Sequence, residues 1–184
     1  MGLMLSEIEH GHRGWFPASN GDIERLIDKI DKLFETEKSV YLKSVKMTFD
    51  AEWFPLLQTY LRGSTHYVYH VSKITPETPT HEVDGEMWVQ GFPHNHNKSL
   101  HTVTIVVYLS ECEGGELVVW DTTSGEHRHE FMPFPKRAAG IHGNKMHGVK
   151  AVTGGVRYAV HCTGYAEGDE GEKAAQVAKQ TSRG

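Results

Sequence analysis

A histidine and an arginine near the C-terminal end of the chain have residue types and a spacing that suit metal chemistry. His147 is followed by valines two and five residues later, then by Gly154-Gly155 and Arg157. Neutral imidazole is a common ligand of iron and other transition metals. An arginine presents a planar fork of donors that matches a carboxylate. The pair therefore predicts one site that holds both a metal ion and an acidic molecule.

Short strands must position these two side chains. The valines after His147 suit a buried strand, the glycine pair supplies a turn, and Arg157 opens a second strand. Side chains alternate along a strand. One face of the second strand therefore carries every other residue from the arginine onward, namely Arg157, Ala159, His161 and Thr163.

Two further strands are predicted upstream, over residues 102–109 and 117–121. Both are rich in β-branched residues, and Gly114-Gly115 supplies the turn between them. One face of the first strand is wholly apolar, with Val103, Ile105, Val107 and Leu109, and the other is mixed, with Thr102, Thr104, Val106 and Tyr108. We expect the apolar face to pack on the core and the mixed face to line a pocket for a polar ligand.

In this order and spacing the segments resemble the iron(II)/2-oxoglutarate-dependent dioxygenases, specifically their prolyl-4-hydroxylase-like branch. The matched segments run from about residue 65 to residue 165. The resemblance implies that His147 is the distal iron ligand and that Arg157 binds the far carboxylate of 2-oxoglutarate. It also implies that Tyr108 contacts this carboxylate. Thr104 and Thr163 share faces with these residues, so we predict that they line the same pocket.

The first pair of iron ligands is ambiguous. Family members usually supply it as His-x-Asp, which points both side chains to one side of a strand end, but the chain contains no His-x-Asp. His81 and Asp84 follow the turn at Pro76, where such a pair is expected, yet their spacing of three requires a bulge. His94 and His96 have the right spacing but replace the carboxylate with imidazole. On position we favour His81 and Asp84, with His94 and His96 as the alternative.

The resemblance implies an enzyme that uses Fe(II), 2-oxoglutarate and O₂ to hydroxylate, or otherwise oxidise, an unactivated C–H bond. Succinate and CO₂ would be released, and the substrate would be an amino acid, a peptidyl residue or a small metabolite. No catalytic residue is predicted beyond the metal site, because the metal carries the difficult chemistry.

Two other functions fit parts of the sequence. One is a cupin-like metalloenzyme without a 2-oxo acid, binding metal through His94, His96, His101 and either His142 or His147. That arrangement leaves Arg157 without a task. The other is a jelly-roll binding module that has lost catalysis, for which the imperfect His-x-Asp pattern is the support.

Length and periodicity indicate one α+β domain. The chain has 184 residues, of which 38% are hydrophobic, enough for a single core. We assign residues 1–166 to the domain, with its centre at about 65–165, and residues 167–184 to a polar tail. Helical spacing over residues 23–34, capped by Asn20 or Asp22, and again over residues 50–63, predicts two helices. The expected fold is a double-stranded β-helix, a jelly-roll or cupin-like barrel, with these N-terminal helices packed on one sheet.

Composition excludes several classes of protein. No apolar run reaches the length of about 18 residues that a membrane span needs, and no signal peptide is recognised, so we expect a cytoplasmic protein. The formal net charge is −5 and the basic residues are scattered, which argues against nucleic acid as a partner. Cys112 and Cys162 do not make a disulfide framework. The expected partner is a small-molecule or peptide substrate.

Overall fold

The computed structural model describes residues 13–15, 18–35, 42–44, 64–89, 102–120, 128–142 and 145–166. Helix α1 spans Asn20–Glu35. The strands in chain order are β1 Arg13–Trp15, β2 Leu42–Ser44, β3 Ser64–Ile74, β4 Thr80–Val83, β5 Glu86–Val89, β6 Thr102–Tyr108, β7 Cys112–Gly114, β8 Leu117–Trp120, β9 Arg128–Phe131, β10 Arg137–His142, β11 His147–Val149, β12 Val152–Gly155 and β13 Arg157–Ala166. The predicted second helix and the predicted polar tail lie outside the described residues.

Helix α1 forms where the sequence predicts it, but its cap is Ser19. The Ser19 Oγ accepts the backbone N–H of Asp22 at 3.1 Å, and the Asp22 carboxylate accepts the N–H of Ser19 at 3.2 Å. This reciprocal arrangement is a capping box with aspartate at its third position. The hydrogen bonds from the Ser19 side chain and backbone lower the pKa of Asp22. Asn20 is therefore inside the helix and is not its cap.

The large sheet holds six strands in the order β1-β10-β6-β13-β3-β2. Its centre is β13, which is antiparallel to β3 on one side and to β6 on the other. Ala159 on β13 is paired with Ser72 on β3 and with Tyr108 on β6, so these three side chains lie in one row on one face.

One face of the large sheet packs on α1. Ile23, Leu26 and Ile30 of the helix join a buried cluster with alternate residues of β3, β6 and β13, among them Val71, Val103, Ile105, Val107, Val160 and Cys162. The apolar face that the sequence predicts for residues 103–109 is thus confirmed. The opposite face of the same three strands carries the mixed set.

The mixed face looks towards a small sheet of order β11-β8-β9. Leu117, Val119 and Phe131 of the small sheet pack on alternate residues of the large sheet, including Val106, Ala139, Ile141 and Ala159. Strand β5 runs beside this sheet, because Trp88 forms a bridge with Lys150 and the Ala151 N–H donates to the Met87 carbonyl at 2.9 Å. Strand β4 forms a hairpin with β5. The two sheets therefore enclose an interior. The mixed face of the large sheet and the facing side of the small sheet both project side chains into it.

The part of the chain that the structure describes is mostly strand with one helix, and its strands do not close into a barrel. Within that part no helix has the length and apolar character needed to span a membrane.

Candidate functional site

Arg157 lies at the start of β13 with its side chain fully buried, at 0% exposure. Its Nε donates to the Gly115 carbonyl at 2.9 Å, and its Nη1 donates to the Ser72 hydroxyl at 3.5 Å. Its Cζ lies 5.1 Å from the centre of the Tyr108 ring. A buried cation requires hydrogen-bonded or charged partners. Two sides and one face of the guanidinium are accounted for by these contacts.

Two buried polar atoms beside each other have no hydrogen-bond partner within the described part of the chain: Arg157 Nη2 and Tyr108 Oη. Burial raises the pKa of Tyr108, and the charge of Arg157 opposes that shift. Buried polar groups are nearly always satisfied in native proteins. A cation and a hydroxyl that both lack an acceptor together predict an anionic ligand, and a carboxylate fits the arginine fork. The predicted roles of Arg157 and Tyr108 in holding 2-oxoglutarate therefore agree with the chemistry of this donor set.

The Gly114-Gly115 turn between β7 and β8 supplies the carbonyl that holds Arg157. Both glycines have positive φ, 71° in each case. A Cβ on Gly115 would lie 3.0 Å from Arg157 Cδ and 3.0 Å from a Val152 methyl group. The sequence pattern indicates this pair only as a turn. Its contact with the arginine follows from the approach of β8 to β13, which local sequence patterns do not report.

Ser72 is a second residue that the sequence patterns do not single out. Its side chain is 1% exposed, and its Oγ lies 3.0 Å from His161 Nε2 as well as within reach of Arg157. The alternation of side chains along β3 places Ser72 on the interior face, so the sequence pattern could have indicated that Ser72 faces the site. Serine on a strand is common, however, and only the register with β13 brings it to the arginine.

Thr104 and Thr163 face each other on neighbouring strands. Their register is direct, and their hydroxyl oxygens are 2.7 Å apart. Both are half-buried. Seen from Arg157, their row of the sheet lies beyond the row that contains Tyr108. They share the interior face with Arg157, as alternation predicts. Direct binding of 2-oxoglutarate by either threonine stays a prediction.

His147 opens β11 on the opposite wall of the interior. Its side chain is 7% exposed, and its register partner on β8 is Val119, which packs between the two sheets. His147 Nδ1 lies 2.9 Å from the Lys145 carbonyl, so Nδ1 carries the proton and Nε2 is the basic nitrogen. Metal-ligating histidines commonly have their second nitrogen held in this manner.

The structure does not bring His81 and Asp84 to this wall. His81 is in register with Trp88, and Trp88 contacts Trp120 at 5.6 Å between ring centres. Trp120 follows Val119 on β8 and so faces the other side of the small sheet. His81 accordingly points away from the face that His147 occupies. Asp84 is exposed, has a φ of 51°, and forms the β4–β5 turn with Gly85.

The other candidate histidines divide into two groups. His94, His96 and His101 lie outside the described residues. His142 pairs with Val103, whose side chain belongs to the cluster under α1, so His142 is on the far side of the large sheet from His147. No group of three or more histidine, cysteine, aspartate or glutamate side chains is positioned for a metal within the described ranges.

The chain matches the model of the 2OG-Fe(II) oxygenase superfamily over residues 56–165, more than half of its length. No curated protein matches it in sequence. A Pseudomonas putida prolyl-4-hydroxylase superimposes with a TM-score of 0.65 at 13% identity, covering 90% of this chain and 100% of that one. A Trichoplax adhaerens prolyl hydroxylase, solved in complex with a hypoxia inducible factor oxygen degradation domain peptide fragment, gives 0.62 at 14% identity, covering 94% and 90%.

HygX from Streptomyces hygroscopicus, solved with nickel and 2-oxoglutarate bound, is also similar. Its TM-score is 0.57 at 10% identity, and the match covers 84% of this chain and 82% of that one. These likenesses show a shared fold, and the family match extends across every strand from β3 to nearly the end of β13. The chain belongs to the 2OG-Fe(II) oxygenase superfamily and is a 2-oxoglutarate-dependent oxygenase that uses iron(II) and O₂.

Proposed function

We propose that Arg157 and Tyr108 bind the far carboxylate of 2-oxoglutarate, that His147 is the distal iron ligand, and that the substrate is a small molecule or a peptide residue. The observation that carries this proposal is the pair of buried donors, Arg157 Nη2 and Tyr108 Oη, without an acceptor in the described part of the chain. Arg157 would contribute a charge-assisted hydrogen bond, and Tyr108 a neutral one. Family membership decides against the cupin-like enzyme without a 2-oxo acid and against the silent binding module.

The protein residues position the reactants and keep water away. When bound, iron and 2-oxoglutarate would allow O₂, the oxidant, to oxidise a C–H bond, with one oxygen atom of O₂ entering succinate as CO₂ is released. Arg157 neutralises one end of the co-substrate at a place with no solvent exposure. Leu117, Val119 and Phe131 line the interior beside it, with Val106 and Ala159. This apolar lining strengthens the arginine–carboxylate attraction, because charges interact more strongly where water is excluded.

For the first pair of metal ligands we propose His94 and His96 in place of His81 and Asp84. Strand β5 runs beside the Lys150 end of β11, and His94 follows the end of β5 at Val89 by five residues. A chain of that length spans up to about 17 Å when extended. The proposal requires this segment to carry the pair back to the interior face. His81 could reach the same metal only if β4 turned over.

A three-histidine site would differ in charge from the usual one. Two histidines and a carboxylate reduce the formal charge on iron(II) by one unit, whereas three neutral imidazoles leave it at +2. The higher charge would favour retention of an anionic chelating ligand.

Metal titration of single variants tests the ligand proposal. We expect His147→Ala, His94→Ala and His96→Ala each to weaken Mn(II) or Fe(II) binding at least tenfold, while His81→Ala and Asp84→Ala bind like the parent protein. The His81→Ala and Asp84→Ala variants change exposed residues and serve as matched controls for the loss of a histidine or a carboxylate. The reverse ranking would restore His81 and Asp84 as the first pair and leave His147 in place.

An anaerobic titration tests the function itself. Adding 2-oxoglutarate to the Fe(II)-loaded protein should produce a weak visible charge-transfer band, and admitting O₂ should then yield succinate. Protein that binds iron but shows neither the band nor succinate would contradict the proposed site.

A further inference from the structure

The interior face of the large sheet carries a connected set of polar side chains that ends at Arg157. Arg157 Nη1 donates to Ser72 Oγ at 3.5 Å, and Ser72 Oγ lies 3.0 Å from His161 Nε2. Ser72 comes from β3, whereas Arg157 and His161 come from β13 four residues apart. The connection therefore crosses between strands and depends on their register, in which Ser72 faces Ala159.

We propose that Ser72 and His161 are positioning residues for Arg157, and that they hold the guanidinium with Nη2 directed at the carboxylate of 2-oxoglutarate. The inference rests on the proposed role of Arg157. Neither residue needs to touch the ligand for this purpose.

The contacts of Arg157 show why a second fixed point is needed. The Gly115 carbonyl fixes Nε at 2.9 Å, and one hydrogen bond alone leaves the guanidinium free to swing about that bond. Ser72 supplies a contact on a terminal nitrogen, which sets the plane of the fork. The guanidinium Cζ then lies 5.1 Å from the Tyr108 ring centre. With both points fixed, Nη2 is the nitrogen that remains without an acceptor among the described residues.

His161 explains how a serine hydroxyl can serve as a fixed point. A serine side chain has three rotamers, and its hydroxyl turns to suit its partners. The bond to His161 Nε2 selects the rotamer that faces Arg157. At 3.5 Å the arginine–serine contact is at the long limit for a hydrogen bond, so a small rotation of Ser72 would break it.

The histidine that lies beside His161 adds no charge to this part of the interior. His70 is its direct register partner on β3. Burial lowers the pKa of His70 to about 4, so this neighbouring imidazole is neutral at physiological pH. The imidazole of His70 therefore does not compete with Arg157 for an anionic ligand.

The test measures 2-oxoglutarate binding by calorimetry to the Mn(II)-loaded protein, which does not turn over. Ser72→Ala removes the hydroxyl with little change in volume, and His161→Leu removes the ring nitrogens. We expect each to raise the Kd for 2-oxoglutarate roughly three- to tenfold, the loss that corresponds to one typical hydrogen bond. His161→Gln places an amide near the position of Nε2 and should stay within about twofold of the parent.

Steady-state kinetics of the Fe(II) enzyme separate positioning from chemistry. In Ser72→Ala and His161→Leu, KM for 2-oxoglutarate should rise while kcat at saturating 2-oxoglutarate changes little. Unchanged Kd in both variants, or equal losses in His161→Leu and His161→Gln, would overturn the inference. Because His161→Gln keeps a polar group at the site, it also covers the case in which His161→Leu fails to fold.

The parent protein distinguishes this inference from the proposed function. If the parent itself binds no 2-oxoglutarate, the role of Arg157 fails, and the positioning inference fails with it. If the parent binds normally and both Ser72→Ala and His161→Leu do too, only the positioning inference fails.

Discussion

Arg157 is a cation with no exposed surface, and each of its contacts with the protein restricts the direction of its fork. Gly115, Ser72 and the face of Tyr108 surround it on the protein side. Burying an unpaired charge is costly, so an arginine with one unused terminal nitrogen is poised for an anion. A carboxylate bound there would thus contribute to the electrostatic balance of the folded interior as well as being a reactant.

Replacing Arg157 with lysine tests the fork separately from the charge. Arg157→Lys keeps a positive charge but loses the planar array of donors. We expect 2-oxoglutarate affinity to fall by roughly 1–3 kcal/mol, measured by calorimetry on the Mn(II)-loaded protein. Metal affinity in the absence of 2-oxoglutarate should stay unchanged, which serves as the control. An unaltered Kd for 2-oxoglutarate would remove Arg157 from the binding site.

At the residue scale, sequence predicts what lies along one strand or across one turn. His147 and Arg157 lie ten residues apart on one short stretch of chain, and Tyr108 follows from alternation on its own strand. Ser72 reaches Arg157 from another strand, and the Gly115 carbonyl reaches it from a turn distant in the chain. Their roles depend on register and on the separation between sheets, so local spacing could not reveal them.

At the scale of elements, the β4–β5 hairpin explains why the ligand pair is difficult to assign from sequence. Asp84-Gly85 is a strong two-residue hairpin turn signal, and the structure uses it as one, with φ values of 51° and 80°. The same aspartate follows a histidine soon after β3, where a ligand pair is also expected. Position along the chain therefore does not distinguish a turn aspartate from a metal ligand.

Substitution in the Gly114-Gly115 turn tests the contacts that hold the Arg157 side chain. In Gly115→Ala the new methyl group would meet Arg157 Cδ and Val152 at 3.0 Å, at a φ of 71° that alanine disfavours. We expect lower 2-oxoglutarate affinity together with a lower melting temperature.

Gly85→Ala provides a matched control for the turn substitution. Gly85 has a φ of 80°, but no atom lies within 4 Å of the position that a Cβ would occupy there. This variant should lose stability through backbone strain alone and keep its affinity for 2-oxoglutarate. Equal loss of affinity in both variants would indicate a general effect of turn strain.

At the scale of the whole molecule, the large sheet joins α1 to the interior. Tyr158 Oη donates to Asp31 at 2.7 Å, and Lys73 forms an ion pair with Asp31 at 2.6 Å. Burial acts to raise the pKa of Asp31, but the hydrogen bonds from Lys73 and Tyr158 outweigh it and the pKa is lowered. Tyr158 and Arg157 are consecutive and therefore point to opposite faces of β13. One strand thus anchors the helix and presents the candidate carboxylate-binding residue.

Removing the Tyr158 hydroxyl should weaken the contact between helix and sheet. We expect Tyr158→Phe to lower the free energy of unfolding by roughly 0.5–1.5 kcal/mol, measured by urea denaturation. Because the Asp31 pKa is lowered in the folded state, its stabilising contribution is present above its ordinary pKa of 3.8 and is lost as pH falls through the folded value. An Asp31→Asn variant should lack that part of the acid dependence, and an identical acid profile would contradict the assignment.

The alternation of apolar and mixed residues allowed both faces of β6 and β13 to be predicted from sequence. The side under α1 and the interior side are as expected, because a one-residue shift would place valines and threonines on the wrong faces. The pairing order of the six strands was not predictable in the same way. It is set by long-range contacts between segments far apart in the chain.

Burial is graded along the interior face of β13. Arg157 is fully buried, Ala159 follows at 0% exposure, and His161 and Thr163 are half-buried. Among the described residues of this row, the arginine end is the more deeply buried and the threonine end is closer to solvent. We therefore expect ordered binding, in which 2-oxoglutarate enters before the substrate and succinate departs after the oxidised product. Product inhibition should accordingly show succinate competing with 2-oxoglutarate for the same form of the enzyme.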